Sequence, residues 1–373
     1  MKCIYCESSS LLREPFFSGF RTVTSDTKPW RRGFDIVVCT QCGFPQADVT
    51  PEWQKSAEEI YGYYASYYQT SDYDQTIFIG GVSSRRSELF AAAVLETCDT
   101  QTGGAVLDFG CGSGNLLRSF SNLRSDLKLF GFDLDNRELN KLLTIPNFEK
   151  LIVGVLEKNL KFDLISMSHS LEHLTSPIET VKLLASLLNE NGYLAIAVPD
   201  CYEDPFKLLI ADHCSHFSVP TLKIFLEQVG FRVVRIESRI ETRECWAICK
   251  PSKSTPDQAE LLPETRWVGE SIRWLNEVKD HAKSLAVAKS FGLFGTSINA
   301  LWLYGELELD IDFFVDEDTT RIGKNLYGRP VINPSEVLSG STVYMPFIPS
   351  LASKIAKRLQ GRDITWAVPP HVR

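Results

Sequence analysis

The chain has 373 residues, more than one hydrophobic core usually holds, so two or three domains are expected. Its 44% hydrophobic and 23% charged content is ordinary for a globular protein. The 39 basic and 47 acidic residues give a net charge of −8, which excludes a general attraction to nucleic acid or to an anionic membrane but permits a local basic pocket for a phosphorylated ligand. The N-terminal "MKCIYCESSS" lacks the apolar core of a secretory signal, and no stretch has the length of a membrane span. We therefore expect a cytoplasmic protein with reduced thiols.

Four of the ten cysteines form two CxxC pairs, Cys3 with Cys6 in "CIYC" and Cys39 with Cys42 in "CTQC". Each pair presents two thiolates from one tight turn, and two such turns supply the tetrahedral set that zinc prefers. Four sulfur ligands leave no open coordination position. We therefore expect a structural Zn²⁺ ion that holds about the first 50 residues together, the alternative being scattered core cysteines.

Residues 60–74, "IYGYYASYYQTSDYD", are rich in tyrosine. Two roles are open for these side chains: they line an acceptor pocket, or they pack the cysteine module onto the next domain. The tyrosines concerned are Tyr63, Tyr64, Tyr67 and Tyr68. The apolar spacing of Leu89, Ala93 and Val94 then predicts a helix over residues 84–98.

From Gly104 to Lys250, short apolar strands alternate with helical segments. The predicted strands are "AVLDF", "LKLFGFD", "KLIVG", "FDLISMS" and "GYLAIAVP". This alternation favours a parallel sheet covered by helices on both faces. The closely spaced "FRVVRIES" and "ECWAICK" predict an antiparallel pair that closes the sheet.

The proline-containing segment 251–263 has no periodicity and is typical of a linker. A long helix is predicted over residues 264–288 from the spacing of Trp267, Trp274, Val278, Ala282 and Leu285. A second alternating set follows, with strands predicted in "SFGLFG", "DIDFFVDED", "TVYMPFI" and "DITWAVP". The predicted fold is thus α/β: a zinc-binding module with its tyrosine-rich connector (1–75), a Rossmann-like domain (76–250), the linker (251–263) and a smaller Rossmann-like domain (264–373).

The segment "AVLDFGCGSGNLL" (105–117) has a strand, a glycine-rich turn and an apolar-faced helix. The glycines are Gly110, Gly112 and Gly114. They allow a sharp turn and a close approach of the backbone to a ligand at the helix N-terminus. Asp108, inside the turn motif, would repel a pyrophosphate but suits a ligand with a cationic amino group. Asp133 ends the next strand, where a carboxylate can accept hydrogen bonds from both ribose hydroxyls or can simply be a solvated strand end.

On these residues the region 104–250 resembles the class I S-adenosylmethionine-dependent methyltransferases, whose first motif is acidic-x-Gly-x-Gly-x-Gly. "FDLISMSHSLEHL" looks like that family's fourth strand and its exit. The resemblance implies that Asp108, Gly110, Gly112 and Gly114 hold the methionine end of S-adenosyl-L-methionine and that Asp133 holds its ribose. Many relatives carry an acidic residue that meets the adenine amine, and Val155 stands there instead. We therefore expect backbone groups and apolar contacts to hold adenine.

The order of cysteine pairs, tyrosine-rich segment, methyltransferase core and C-terminal α/β unit is similar to the sugar C-methyltransferases that act on nucleotide-linked 4-keto-6-deoxysugars. "GRPVINPSEV" and "GLFGTS" look like that family's last domain, although the glycine spacing differs. In "IADHCSHFS" (210–218), His213 matches the histidine of the family's Tyr-x-Glu-His run and Asp212 its glutamate. Ile210 stands at the tyrosine position, and His216 replaces a second aromatic residue. His173, in "SLEHL", matches another active-site histidine.

Methylating carbon requires a nucleophilic carbon, made by removing a proton next to a ketone. A histidine with a pKa near neutrality can take that proton, so we expect His213 to be the catalytic base, with Asp212 orienting it and His173 positioning the acceptor oxygen. A polar structural loop, or a metal bound by His213, Cys214 and His216, are the alternatives for this segment. His169 is expected to be an ordinary hydrogen-bonded histidine, and Cys111 a small packing residue.

Asp316 ends the second strand of the C-terminal unit, where either a nucleotide carrier binds or a degenerate scaffold closes over the active site. The predicted function is transfer of a methyl group to a nucleotide-linked deoxysugar, at carbon, through an enolate. Methylation of oxygen or nitrogen in a sugar or another small metabolite is the second interpretation, and an inactive binding protein with this fold the third. No nucleic-acid or membrane partner is expected, and the oligomeric state is left open.

Overall fold

A computed structural model of the chain describes most of its residues. The described residues are 2–15, 17, 19–31, 34–62, 74–79, 82–239, 241–252, 266–288, 290–307, 311–361 and 363–371. The four tyrosines singled out above, and nearly all of the predicted linker, lie outside these ranges.

The N-terminal part contains short strands and one helix. In chain order they are β1 (Leu11–Arg13), β2 (Thr22–Val23), β3 (Pro29–Trp30), β4 (Ile36–Cys39), β5 (Pro45–Ala47) and α1 (Pro51–Gly62). β1, β4 and β5 form an antiparallel sheet in that order. β2 and β3 form a separate hairpin, in which Thr27 takes a left-handed conformation (φ 66°) and the Thr24 amide bonds to the Lys28 carbonyl. The hairpin tip therefore displays residues 24–28.

The central unit alternates strands with helices. Its elements are β6 (Thr76–Ile79), β7 (Val82–Arg85), α2 (Arg86–Thr97), β8 (Ala105–Phe109), α3 (Asn115–Leu123), β9 (Lys128–Asp133), α4 (Leu139–Leu142), β10 (Phe148–Val153), β11 (Phe162–Ser168), α5 (Pro177–Leu187), β12 (Leu188–Pro199), α6 (Val219–Gln228), β13 (Phe231–Arg239) and β14 (Glu244–Pro251). Two short 3-10 helices, Leu171–His173 and Pro205–Leu209, follow β11 and β12.

Seven of these strands form one sheet in the order β10-β9-β8-β11-β12-β14-β13. The neighbours from β10 to β12 are parallel, and β14 is antiparallel to both β12 and β13. The predicted strands and the antiparallel closing pair are confirmed. These strands could be predicted from the sequence because strands that are covered on both faces are continuous apolar runs. The helix predicted over 84–98 is α2, with Val94 buried.

The C-terminal unit begins with a long helix and builds a six-stranded sheet. Its elements are α7 (Arg266–Leu285), β15 (Phe291–Phe294), α8 (Ile298–Leu307), β16 (Phe313–Val315), β17 (Asn325–Leu326), β18 (Arg329–Ile332), β19 (Thr342–Tyr344), α9 (Pro349–Arg358) and β20 (Thr365–Ala367). The sheet order is β17-β18-β16-β15-β19-β20, with β18 to β20 parallel. The predicted helix and the four predicted strands are all present.

One apolar core joins the three parts of the chain. Phe206 and Ile210, in the segment after β12, are buried in the same cluster as Val23 of the N-terminal hairpin and Trp302 of α8. The Phe206 ring centroid lies 5.7 Å from that of Trp302, and the Ala211 amide bonds to the Val23 carbonyl at 2.8 Å. This core brings the hairpin and the C-terminal sheet against the carboxyl end of the central sheet. Within the described ranges, no helix combines the length and apolarity needed to cross a bilayer.

Candidate active site

The glycine-rich turn joins β8 to α3 at the carboxyl edge of the central sheet. Gly110, Gly112 and Gly114 all have positive φ (78°, 47° and 83°), a conformation that costs other residues free energy. A Cβ at Gly110 would lie 2.8 Å from the Ser170 Cβ, and one at Gly114 would lie 2.6 Å from side-chain atoms of α4 and its following turn. Both the backbone conformation and the packing therefore require glycine here.

Two carboxylates flank this turn. Asp108 is 3% exposed and accepts a hydrogen bond from the Ser166 hydroxyl at 2.8 Å. Burial, reinforced by the nearby Asp133 charge, raises the pKa of Asp108 to about 7. Asp133 accepts hydrogen bonds from the Gly112 and Leu134 amides at 2.8 and 2.7 Å, and burial raises its pKa. An ammonium group beside Asp108 would stabilise its charged form, so this carboxylate fits the amino group of a bound methionine moiety.

A cavity of about 420 Å³ opens beside the turn. Asp108, Gly110 and Gly112 line it, together with residues from the N-terminal hairpin and from the C-terminal sheet. In the described part of the chain, Gly114 and Asp133 are not among the lining residues. Gly114 instead supports the turn from behind, and Asp133 holds it through the Gly112 amide. The cavity has the size of a small-molecule site.

His173 and His213 meet on the opposite wall of this cavity. Their ring centroids are 4.6 Å apart and the ring planes are perpendicular. His173 ends the 3-10 helix after β11, and its Nδ1 lies 2.8 Å from the Tyr61 hydroxyl and 3.0 Å from the Asp212 carbonyl oxygen. The carbonyl can only accept, so Nδ1 of His173 carries the proton and Nε2 is left for another partner.

His213 is 3% exposed, and its Nδ1 has no hydrogen-bond partner among the described residues. Burial, followed by the positive charges that neighbouring histidines and Lys207 carry when protonated, lowers the pKa of His213 well below its ordinary value. The ring is therefore neutral at pH 7, and its lone pair can accept a proton.

Asp212 does not contact the His213 ring, which corrects the expectation that it orients this histidine. Its carboxylate is fully buried and accepts hydrogen bonds from the Ser25 amide (2.9 Å) and hydroxyl (2.5 Å), and it lies 3.4 Å from His173 Nδ1. Asp212 lies in a turn, closed by the bond from the His213 amide to the Ile210 carbonyl, and its carboxylate is directed to the hairpin tip. Asp212 therefore fixes His173 and the hairpin tip.

A second histidine network lies beside the pair. His169 takes a left-handed conformation (φ 55°) and bridges two buried carboxylates, with Nδ1 3.2 Å from Glu172 and Nε2 bonded to Glu244. Burial and Arg86 disfavour its proton, but Glu244 and Glu172 outweigh them and raise the pKa of His169. His169 is thus a hydrogen-bonded histidine, as expected, and it also lines the cavity.

The metal set proposed from His213, Cys214 and His216 does not form. The Cys214 thiol donates to the carbonyls of Glu172 and Leu174 at 3.4 and 2.9 Å. His216 is fully buried, and burial lowers its pKa to about 3. Both side chains therefore belong to the core behind the cavity.

Cys3, Cys6, Cys39 and Cys42 converge at the N-terminal sheet, as their spacing predicted. The Cys3 and Cys42 sulfurs are 3.6 Å apart, and those of Cys6 and Cys39 are 3.5 Å apart. Zn–S bonds of ~2.3 Å in a tetrahedron put sulfurs ~3.8 Å apart, so the four thiols fit a zinc ion.

The far end of the cavity belongs to the C-terminal unit. Thr296 and Ser297, in the turn before α8, line it together with Asp316 and Arg321. Asp316 directly follows β16, as predicted, and accepts hydrogen bonds from the Thr296 hydroxyl at 2.7 Å and the Asp318 amide at 3.0 Å. The Arg321 guanidinium donates to the Thr296 hydroxyl at 2.8 Å. The cavity thus extends from the glycine turn of one sheet to that of the other.

Several cavity residues were not found from the sequence, namely Ser25, Arg86, Lys207 and Arg243. Each is a single polar or basic residue without a characteristic spacing. Tyr61 was not predicted as a site residue either, although four of its tyrosine neighbours were considered for the acceptor pocket. Only the folded chain brings these residues together.

Comparison with known proteins finds similarities to the central unit. Residues 82–236 match the family model described as a methyltransferase domain. The chain is 32% identical over 103 residues to the ubiquinone biosynthesis O-methyltransferase of Paraburkholderia phymatum, covering 25% of this chain and 43% of that protein. It is 31% identical over 135 residues to the carboxy-S-adenosyl-L-methionine synthase of Campylobacter jejuni, covering 32% of this chain and 57% of that protein. The chain thus spans about half the length of these relatives.

Solved structures resemble part of the chain. A SAM-dependent methyltransferase from Aquifex aeolicus is 24% identical with a TM-score of 0.35, covering 44% of this chain and 91% of that one. An S-adenosylmethionine-dependent methyltransferase from Clostridium acetobutylicum is 14% identical with a TM-score of 0.37, again covering 44% and 91%. The match to the methyltransferase-domain family model therefore lies on the central unit, which contains the seven-stranded sheet.

Proposed function

We propose that this protein transfers the methyl group of S-adenosylmethionine to a carbon next to a ketone, in an acceptor of the nucleotide-linked deoxysugar class. The observation that carries the proposal is that a buried, neutral His213 shares one cavity with Asp108 and the glycine turn. The cofactor, when bound, supplies an electrophilic methyl group on a sulfonium. The chain itself must supply a base and a site that holds the acceptor.

The proposed chemistry uses the two histidines in different ways. The neutral ring of His213 takes the proton next to the ketone, leaving an enolate. The protonated form of His173, whose Nδ1 is fixed by Tyr61 and Asp212, donates from Nε2 to the acceptor oxygen and holds its developing charge. The new carbon–carbon bond forms as the carbon–sulfur bond breaks, so the proton on His213 is the only one to be returned to solvent.

The extent of the cavity supports an acceptor with a carrier group. Its lining runs from Gly110 in the central unit to Thr296 and Asp316 in the C-terminal unit, a span that a small unattached ketone would not fill. A nucleotide carrier beside Asp316 fits the strand, turn and helix arrangement there. The resemblance to sugar C-methyltransferases points to the same acceptor class.

Methylation of an oxygen or nitrogen atom is the second candidate. Ile210 is 1% exposed and packs in the apolar core where the resembled family has a tyrosine. The acceptor therefore loses one polar contact, and a histidine base serves a hydroxyl as well as a carbon acid. One similar protein is named as an O-methyltransferase.

Deuterium exchange separates these candidates. The protein is incubated in deuterated water with thymidine-diphosphate-linked 4-keto-6-deoxyglucose, with and without S-adenosylmethionine, and product masses and methyl positions are read. Enzyme-dependent deuterium uptake next to the ketone, lost in His213→Ala and kept in a variant of the exposed His371, supports the carbon mechanism. A methyl gained without exchange supports the oxygen or nitrogen mechanism and contradicts the first.

We also propose that the four N-terminal cysteines bind one structural zinc ion. The support is their sulfur spacing and the closed, four-thiolate donor set. The ion would fix the N-terminal sheet, from which the hairpin tip reaches Asp212.

A further inference from the structure

Three cationic side chains face the cavity on the wall that carries His213. Lys207, Arg243 and Arg86 all line it. The carboxylates that accompany them, Asp204 and Glu244, are not lining residues within the described part of the chain. Of this group of charges, the three basic side chains therefore line the cavity and their two partner carboxylates do not.

Lys207 and Arg243 are held near a carboxylate without bonding to it. Lys207 Nζ is 3.7 Å from Asp204 Oδ2, and Arg243 Nη1 is 3.8 Å from the same oxygen. Across the described ranges, neither basic side chain donates a hydrogen bond, and neither Asp204 oxygen accepts one. Both basic side chains are only 14% exposed. The buried atoms without a partner are the Asp204 oxygens, whereas the two basic groups line the cavity and keep donors for a ligand, so this arrangement is that of a site awaiting an acceptor.

The backbone at Arg243 supports the same interpretation. Arg243 lies in the turn before β14 with φ 59°, a left-handed conformation that is unfavourable for a residue other than glycine. Its carbonyl accepts a hydrogen bond from the Asp200 amide at 3.1 Å, which anchors the turn to the end of β12. Strain of this kind persists where the surrounding fold imposes it, and here it holds a guanidinium at the cavity wall.

Lys207 reaches the same place from another element. It lies on the 3-10 helix Pro205–Leu209, three residues after Asp204 and six before His213. Burial lowers the pKa of Lys207, and Arg243 lowers it further, against the attraction of Asp204. A bound anion between Lys207 and Arg243 would stabilise both positive charges and so raise the pKa of Lys207 again.

We propose that Lys207 and Arg243 bind an oxyanion, a carboxylate or a phosphate, that is part of the methyl acceptor and lies close to His213. A guanidinium offers two parallel N–H donors to such a group, and an ammonium adds a point charge. The inference rests on the proposed function, because it assigns the anion to the acceptor of that same cavity. It narrows the acceptor to molecules with an anionic group near the methylated atom.

Ligand-observed NMR on the full chain tests this inference. The protein is saturated with S-adenosylhomocysteine, so that the cofactor's own carboxylate site is filled. Inorganic phosphate is then followed by ³¹P line width, and acetate and acetamide are followed together by their methyl signals. Acetamide has the shape of acetate without its charge. The variants are Lys207→Met, Arg243→Gln and the charge-retaining Arg243→Lys, with Arg239→Gln as the matched control, because Arg239 is on the same hairpin but not on the cavity wall.

We expect saturable broadening of acetate or phosphate but not of acetamide. Binding should weaken at least tenfold in Lys207→Met and Arg243→Gln, recover in part in Arg243→Lys, and stay unchanged in Arg239→Gln. Preference for phosphate would assign a phosphorylated acceptor, and preference for acetate a carboxylated one. The proposal is overturned if no anion binds, if all variants bind equally, or if binding occurs only without S-adenosylhomocysteine.

The cofactor's affinity is measured on every variant as the check of folding. If S-adenosylmethionine binds and the anions do not, this inference fails while the proposed function stands. If the anions bind and S-adenosylmethionine does not, the proposed function fails first.

Discussion

The imidazoles of His173 and His213 meet edge to face, with centroids 4.6 Å apart, and both line the cavity that opens beside the glycine turn. Two protonated rings at this separation would repel each other, so at most one carries a charge. Burial assigns the neutral state to His213. In the mechanism proposed above, the pair therefore makes one proton transfer rather than two.

The first prediction follows from this pairing. His213→Ala should lower kcat by about 10²-fold or more, because it removes the base, while S-adenosylmethionine affinity stays within about twofold. His173→Ala should lower kcat less, since the base remains. Single-turnover kinetics and calorimetry measure the two quantities. Equal activity of His213→Ala and the wild type would exclude His213 as the base.

Affinity for S-adenosylmethionine should depend on the ionisation of Asp108. Its pKa is raised to about 7 by burial, so the carboxylate gains its charge as the pH rises through neutrality. Affinity for a ligand with a cationic amino group should therefore fall as the pH drops below about 7. Calorimetry between pH 5.5 and 8.5 should show this slope in the wild type but not in Asp108→Asn. Asp135→Asn, at a partly exposed carboxylate two residues after Asp133, should keep the slope.

Acid should destabilise the fold through His216. Burial lowers its pKa to about 3, whereas in the unfolded chain it takes up a proton near pH 6.5. The unfolded state therefore binds more protons below about pH 6.5, and the free energy of unfolding falls by up to about 1.4 kcal/mol for each pH unit. His169, whose pKa is raised, acts in the opposite direction.

Urea unfolding at pH 7.5 and pH 5.5 measures that loss. The loss in the free energy of unfolding between these two pH values should be smaller by about 1 kcal/mol in His216→Gln, because glutamine cannot take up the proton. A substitution of the exposed His371 serves as the control for removing a histidine, and the same loss in all three proteins would contradict the assignment.

Much of this architecture was predictable from the sequence, and the reason is local. The strands of the central sheet are apolar runs, and the glycine turn needs residues without a Cβ, so both leave a local pattern. The converging cysteines were predictable because each CxxC pair already forms half of the cluster. These features depend on neighbours in the chain.

The role of Asp212 was not predictable in the same way. Its partner Ser25 lies 187 residues away, and nothing in either segment indicates the contact. Lys207 and Arg243 come from two loops that meet only when β12 and β14 pair. Single residues that act through distant partners leave no periodic signal, so the cationic wall appears only in the fold.

The Ser25–Asp212 contact gives a further prediction. Ser25→Ala removes a hydroxyl that bonds to a buried carboxylate, so stability should fall by about 1–3 kcal/mol. Because Asp212 also holds His173, kcat should fall more than the affinity for S-adenosylmethionine. Urea unfolding and steady-state kinetics measure the two effects. Ser10→Ala, at an exposed position of the same module, is the control and should change neither.

The cysteine cluster can be tested by elemental analysis. We expect about one zinc per chain in the wild type and a large loss in Cys39→Ser, since a tetrahedral thiolate site does not tolerate the exchange of a ligand for a hydroxyl. Cys98→Ala changes a buried cysteine outside the cluster and should keep the metal. A metal content that is equal in both variants would contradict a zinc site at these four residues.

The apolar core shared by the three parts of the chain bears on how the protein can be handled. A gene fragment that encodes only the catalytic unit would leave Phe206, Leu209 and Ile210 facing water, although all three are at most 1% exposed in the whole chain. Each such side chain left exposed forgoes about 1.5–3 kcal/mol of burial free energy and adds to an apolar patch that favours aggregation. Such a fragment should aggregate on expression, so the intact polypeptide is the smallest unit suited to crystallisation or enzymology.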